Sequence, residues 1–293
     1  MKTHTAPART LPFELGEPRS FAGLTIVPLF PAGPAQLEYV GLDEAAARGL
    51  TVTEVDVAGD VQALLLENPL GERVLLYEGE ELVGAKQNRI LERAILVEAR
   101  STLKIPVHCV EQGRWAYRTE RFAPAPRAAY PELRRAQRLG QGAVWESVAA
   151  KASRLDAFSL TGAAEAVYDS RQETLEDYLK AVPRADGQAG VIVGIAGRLV
   201  CLDYVSRSEV FAGLYGKLLR GYALDALETP FDRPLAQGAV GRFLGELELA
   251  ERLYRPAVGH GEEARLEGYA VGSELTANGE VIALTAFPRA LSH

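Results

Sequence analysis

Between residues 24 and 115 the apolar positions fall into short runs rich in Val, Ile and Leu, each bounded by Gly, Pro, Asn or Asp. LTIVPLF, TVTEVDV, VQALLLEN, RVLLYEG, NRILERAILV and TLKIPVHCV have the length and β-branched content of strands. Asn68-Pro69-Leu70-Gly71 separates two of them and predicts a hairpin turn, with Pro69 and Gly71 supplying the backbone geometry. An Ala-rich stretch over 42–48 predicts one or two helical turns ended by Gly49. Short strands joined by turns predict an antiparallel sandwich or roll.

Past Trp115 the period shifts toward helix. Phe122-Ala123-Pro124-Ala125-Pro126 is read as a Pro-rich connection, with helix over 130–155 interrupted at Gly140-Gln141-Gly142. Ser170-x-x-Glu173 and Ser206-x-x-Glu209 have the form of capping boxes ahead of apolar helical faces. VIVGIAGRLVCLDYV predicts two strands around Ala196-Gly197-Arg198, 234–249 a further helix, and Asn278-Gly279 a hairpin turn between GYAVGSELT and VIALTAF. The expected fold class is α+β: a flexible arm over 1–20, an antiparallel β-rich sandwich or roll over 21–122, and over 123–293 a helical segment followed by a C-terminal mixed α/β part.

Composition narrows the classes of function. Apolar residues make up 47% of the 293 and charged residues 24%, a globular balance. The net charge of -7 repels phosphate backbones, so non-specific nucleic-acid binding is not expected, and an anionic ligand would need a local basic pocket. No window has the apolar run of a spanning helix, so no membrane span is expected. Two distant cysteines and no apolar leader predict a reducing, cytoplasmic setting. Nothing in the sequence ranks monomer against dimer.

The candidate chemistry lies in two polar stretches placed among apolar strands. The first runs Glu78-Gly79-Glu80-Glu81-Leu82-Val83-Gly84-Ala85-Lys86-Gln87-Asn88-Arg89. In extended geometry Glu78 and Glu80 share a face, as do Lys86 and Asn88, which would set carboxylates against a cation and an amide. Lysine is scarce in this arginine-rich chain, and Asn88, unlike Asn68 and Asn278, has no turn motif to explain it. The second stretch is Val107-His108-Cys109-Val110-Glu111-Gln112-Gly113-Arg114-Trp115. Strand alternation points His108 away from Cys109 and argues against a thiol dyad. Glu111 suits a general base or ion-pair partner, Arg114 a phosphate or carboxylate, and Trp115 a flat ring.

Glu80, Lys86 and Glu111 are therefore the catalytic candidates; Gln87, Asn88, Arg89, Arg114, Trp115 and Gln141 are the ligand-binding ones. The four histidines lack zinc-ligand spacing, so zinc is not expected. An oxygen-only magnesium site drawn from Glu78, Glu80, Glu81 or Glu111 is compatible with the residue types. The bland alternative is a salt-bridge and amide network that fixes strand register.

EGEELVGAKQNR followed by CVEQGRW, with Gln141 and Trp145 beyond, resembles the ADP-ribosylglycohydrolase and rhodanese-phosphatase-superfamily-associated protein domain family over about residues 24–288. The resemblance implies an α+β domain with signature residues at Glu80, Lys86, Gln87, Asn88, Arg89, Glu111, Arg114 and Trp115. It implies no particular reaction and points toward ADP-ribose, NAD-derived or phosphorylated nucleotide metabolism. The expected function is thus an enzyme or binding protein for a nucleotide-like or phosphorylated small anion. The alternative is a non-catalytic protein-interaction or structural module.

Overall fold

A computed structural model describes residues 11–229, 231 and 233–289. Six of its strands close into an antiparallel barrel in the order Ser101–Cys109, Ala63–Asn68, Thr51–Glu54, Phe122–Ala128, Glu80–Gly84 and Arg89–Leu91, the last pairing back with the first. Thr51–Glu54 alternates between buried and half-buried positions, which is the period-2 pattern of a strand with one face inward. Val52, Leu64, Leu66, Leu82, Ile105 and Val107 belong to the apolar cluster this arrangement buries. Closure leaves no sheet edge to be covered.

Beside the barrel lies a nine-stranded antiparallel sheet that runs from Phe13–Leu15 through Leu24–Pro31, Gly190–Ile195, Arg198–Val205, Glu280–Pro288 and Ala270–Ala277 to Glu262–Glu267 and Glu251–Pro256. Arg19–Phe21 pairs with the same strand as Phe13–Leu15. A small third sheet joins Ile95–Val97, Arg73–Leu76 and Tyr39–Gly41, the last pair being parallel. The helix Ser208–Ala226 runs between barrel and sheet and is apolar on most of its circumference, as a helix covered on all sides must be. Gly221 lets it approach the barrel strand Phe122–Ala128: a Cβ there would sit 3.0 Å from the Ala128 carbonyl oxygen.

The fold is α+β and mostly antiparallel as expected, and the early strands that suggested a sandwich or roll are divided among the closed barrel, the three-stranded sheet and, for Leu24–Pro31, the nine-stranded sheet. Three local expectations change. Residues 1–10 of the expected arm lie outside the described residues, while Phe13–Leu15 and Arg19–Phe21 are strands. The Pro-rich connection is the strand Phe122–Ala128, whose register shifts between Pro124 and Ala128, where a missing N–H costs no ladder bond. Residue 122, where a boundary between units was expected, is thus the first residue of a barrel strand. Both capping boxes precede real helices, Gln172–Ala181 and Ser208–Ala226, but neither serine caps: Ser170 donates to the Val167 carbonyl, and the Ser206 hydroxyl is bonded to the Tyr39 phenol. Helix over 130–155 does divide into Pro131–Ala136 and Gln141–Arg154, parted at Gly140, whose φ of 100° only glycine adopts readily.

Candidate functional site

Gly79, at φ 83°, turns the chain between Glu78 and Glu80. The alternation that would put those two carboxylates on one face therefore does not apply, and the three glutamates point to three different cations. Glu78 accepts two bonds from Arg138 Nη2, at 2.9 and 2.8 Å, and one from Ser273. Glu80 accepts from the Tyr77 amide and from Lys217 Nζ at 2.9 Å. Glu81 takes the Arg127 fork at 2.6 and 3.0 Å. None of them faces Lys86 or Asn88 as the strand reading expected. With Glu111 in a fourth place, the carboxylates considered for magnesium do not converge. Among the described residues no group of three or more His, Cys, Asp or Glu side chains could hold a metal ion.

The end of the first stretch and the second stretch do meet. Asn88 donates its backbone N–H to Glu111 Oε2, and its side-chain oxygen accepts from Arg114. Arg114 also donates to Glu111 Oε2 at 2.6 Å and to the carbonyls of Gly84, Ala85 and Ala116. Thr161 donates to the other Glu111 oxygen at 2.9 Å. Burial alone would raise the Glu111 pKa, but the Arg114, Asn88 and Thr161 bonds outweigh it and hold the carboxyl below its usual range. Three of the roughly four acceptor positions of this carboxylate are taken, two on Oε2 and one on Oε1. Gln141 joins from the helix start, accepting from the Cys109 N–H and donating to the Cys109 carbonyl, both at 2.8 Å, as a neighbouring strand would.

Lys86 lies 5.3 Å from the ring centre of Trp115 and 5.2 Å from that of Tyr117, and its ammonium donates to the carbonyls of Val57 and Ala58 at 2.6 Å. Trp115 is 44% exposed, and the Arg89 guanidinium also lies 5.5 Å from its ring centre. Arg89 is fully buried, with Nη1 donating to both oxygens of Gln87.

A further opening lies next door. A cleft of about 300 Å³ between the barrel and the nine-stranded sheet is bordered by Glu78 from the first stretch and His108 from the second. Its other charged residues are Glu92, Glu263, Arg93, Arg138, Arg255 and Arg265, so three carboxylates and four guanidiniums border it, with Arg265 paired to Glu267 just outside at 3.1 Å. Arg93 and Arg255 reach Glu263 at 3.2 and 2.8 Å. The His108 ring is buried beside the Gln141 side chain and the Gln137 backbone, and the closest carboxylate oxygen, on Glu92, is 4.0 Å from Nε2. Burial pushes the His108 pKa down, so the imidazole is neutral near pH 7 and can accept a proton. Strand alternation does place His108 away from Cys109, but the histidine has a setting of its own. The cleft arginines come from segments far apart in sequence, and the only sequence signal was a lone histidine at the end of an apolar strand.

The profile of one protein family, described as ARG and Rhodanese-Phosphatase-superfamily-associated Protein domain, matches residues 12–287. No curated protein and no solved structure matches the chain.

Proposed function

The chain belongs to the ARG and Rhodanese-Phosphatase-superfamily-associated Protein domain family, and from that premise we propose that it binds a small phosphorylated or nucleotide-like anion in the cleft between barrel and sheet and acts on it by proton transfer. The observation that carries this reading is the gathering of four guanidinium groups and a buried imidazole, neutral near pH 7, around one opening. Guanidinium groups take phosphate or carboxylate oxygens bidentately, and a neutral histidine within the same cleft supplies a general base. Glu80, Lys86 and Glu111, the residues the sequence suggested for chemistry, serve here as framework: Glu111, Asn88 and Arg114 tie down the end of the strand that carries His108. The two free, buried thiols support a reducing, cytoplasmic setting.

Calorimetric titration with ADP-ribose, NAD and inorganic phosphate tests the reading. At least one should bind, and His108→Asn and Arg265→Gln should each weaken it. Absence of binding by all three, or binding unaltered in both variants, removes the proposal. The density of bonds in the Glu111–Arg114–Asn88 network favours a second reading, a non-catalytic interaction module built on a rigid barrel end. That reading would gain if the cleft variants changed nothing while pull-downs with the whole chain returned a protein partner that an Arg114 variant lost.

A further inference from the structure

The opposite face of the strand Ser101–Cys109 carries a second arrangement that the cleft does not use. His108 looks outward into the cleft, whereas Cys109 pairs in register with Arg89 at the barrel end. There the Arg89 side chain has no exposed surface, and only its Nη1 is bonded; Nε and Nη2, the edge that forms a two-pronged donor, have no partner among the described residues. Facing that edge, 3.9 Å from Nη2, is Glu54 Oε1, which accepts the Lys86 N–H. The other Glu54 oxygen is also buried and unpartnered. An idle buried donor edge beside an idle buried acceptor is costly, because each group has given up water without gaining a bond.

The cover over this pair is the segment 55–62. Its backbone presses down so closely that a Cβ on Gly59 would lie 3.2 Å from Lys86 and Trp115 and 3.3 Å from Glu54 Oε2. Lys86 latches it through the Val57 and Ala58 carbonyls, while the Val57 side chain is 86% exposed and packs on little. Cys109 closes the far side, with its thiol on the Val61 carbonyl.

We propose that the barrel end beneath segment 55–62 is a binding site for a small planar amide or urea group, whose carbonyl oxygen accepts from Arg89 Nε and Nη2 while its N–H donates to Glu54 Oε2. A group with an acceptor and a donor side by side satisfies both idle partners at once. A carboxylate would satisfy the guanidinium but set a second anion against Glu54, and phosphate would do the same with more charge. The ligand enters when segment 55–62 lifts from Lys86.

The test uses the full chain and acetamide and urea as probes, with acetate and inorganic phosphate as controls. Crystals soaked in acetamide should show the amide between Arg89 and Glu54; an ordered water only, in every soak, overturns the proposal. In solution the reporter is the rate at which methyl methanethiosulfonate labels Cys109, followed by mass spectrometry so that Cys201 is counted separately. Acetamide at saturation should slow that rate by at least about threefold, as occupancy keeps the cover closed. Acetate slowing it equally, or acetamide having no effect, counts against the proposal. Glu54→Gln replaces the acceptor by a donor and should abolish the protection. If that variant does not fold, Lys86→Met serves instead: it keeps the stem, frees the latch, and should speed labelling while leaving acetamide protection in place. Unchanged labelling in Lys86→Met would show that the segment is not the gate.

Discussion

Arg134 and Arg89 are equally buried, with no exposed side-chain surface on either, yet they are held in opposite ways. Arg134 meets Asp203 through two nitrogens at 2.8 and 2.5 Å and donates to Thr285 as well. The Arg134 charge and its bonds, with Tyr222 and Tyr77 donating beside them, outweigh burial and lower the Asp203 pKa. Arg89 has one nitrogen bonded to Gln87, a carboxylate too far for a hydrogen bond, and a guanidinium whose pKa burial drives down. A buried charge whose two terminal nitrogens both grip a carboxylate, as in Arg134 with only Nε unbonded, is a pin between elements. One with half its donors unmatched is a place where the fold has stopped short of its own best packing, as sites that receive something else do.

The contrast can be broken by mutation. The largest effect is expected for Arg134→Met, which strands Asp203 and should cost about 3–5 kcal/mol in urea unfolding, with Asp203→Leu in the same chain restoring much of it. Next comes Glu111→Gln at the knot joining the two polar stretches, expected to lose about 1–3 kcal/mol. Because Glu111 is held below its usual range when folded, its contribution is present above the unfolded carboxyl pKa and is lost as the pH falls through the folded value; the variant should lose that part of the acid dependence. Arg89→Met should stay within about 1 kcal/mol of wild type, since it removes a charge that little compensates. A loss as large as that of Arg134→Met would make Arg89 a second pin and erase the comparison.

The smallest effect concerns a third buried cation. Lys151 is shared by Asp225 at 2.7 Å, Glu228 at 2.8 Å and Glu132 at 3.1 Å, more anions than one ammonium can neutralise. Burial pushes the Asp225 pKa up from 3.8 to about 6. The folded state therefore binds a proton that the unfolded state has released between those values, and this contribution to stability declines as the pH rises through about 6. Asp225→Asn should flatten that slope in unfolding midpoints measured from pH 4 to 7.

Local signals in the sequence were read well where the cause was local. The break at Gly140 and the Asn278-Gly279 turn, with φ of 51° and 80°, follow from what those residues permit in their own backbone. The capping serines failed because their hydroxyls were claimed otherwise: Ser206 by Tyr39, which lies 167 positions away. The two polar stretches do touch, through Asn88, Glu111 and Arg114. The open cleft was missed because its guanidiniums arrive from the bend after Arg89–Leu91, from a short helical turn at Arg138 and from two strands at the far end of the chain, and no spacing in one segment announces such a meeting.

The chain by itself determined many of the strands and helices, though not the strands Phe122–Ala128, Glu251–Pro256 and Glu262–Glu267, that the class is α+β, and that polar groups gather at 78–89 and 109–115, because apolar period and turn chemistry act over a few residues. Tertiary structure alone decided which carboxylate meets which guanidinium. Arg134 and Asp203 are 69 positions apart, Glu78 and Ser273 are 195 apart, and pairings at that range are set by barrel closure and sheet order rather than by any neighbour in sequence.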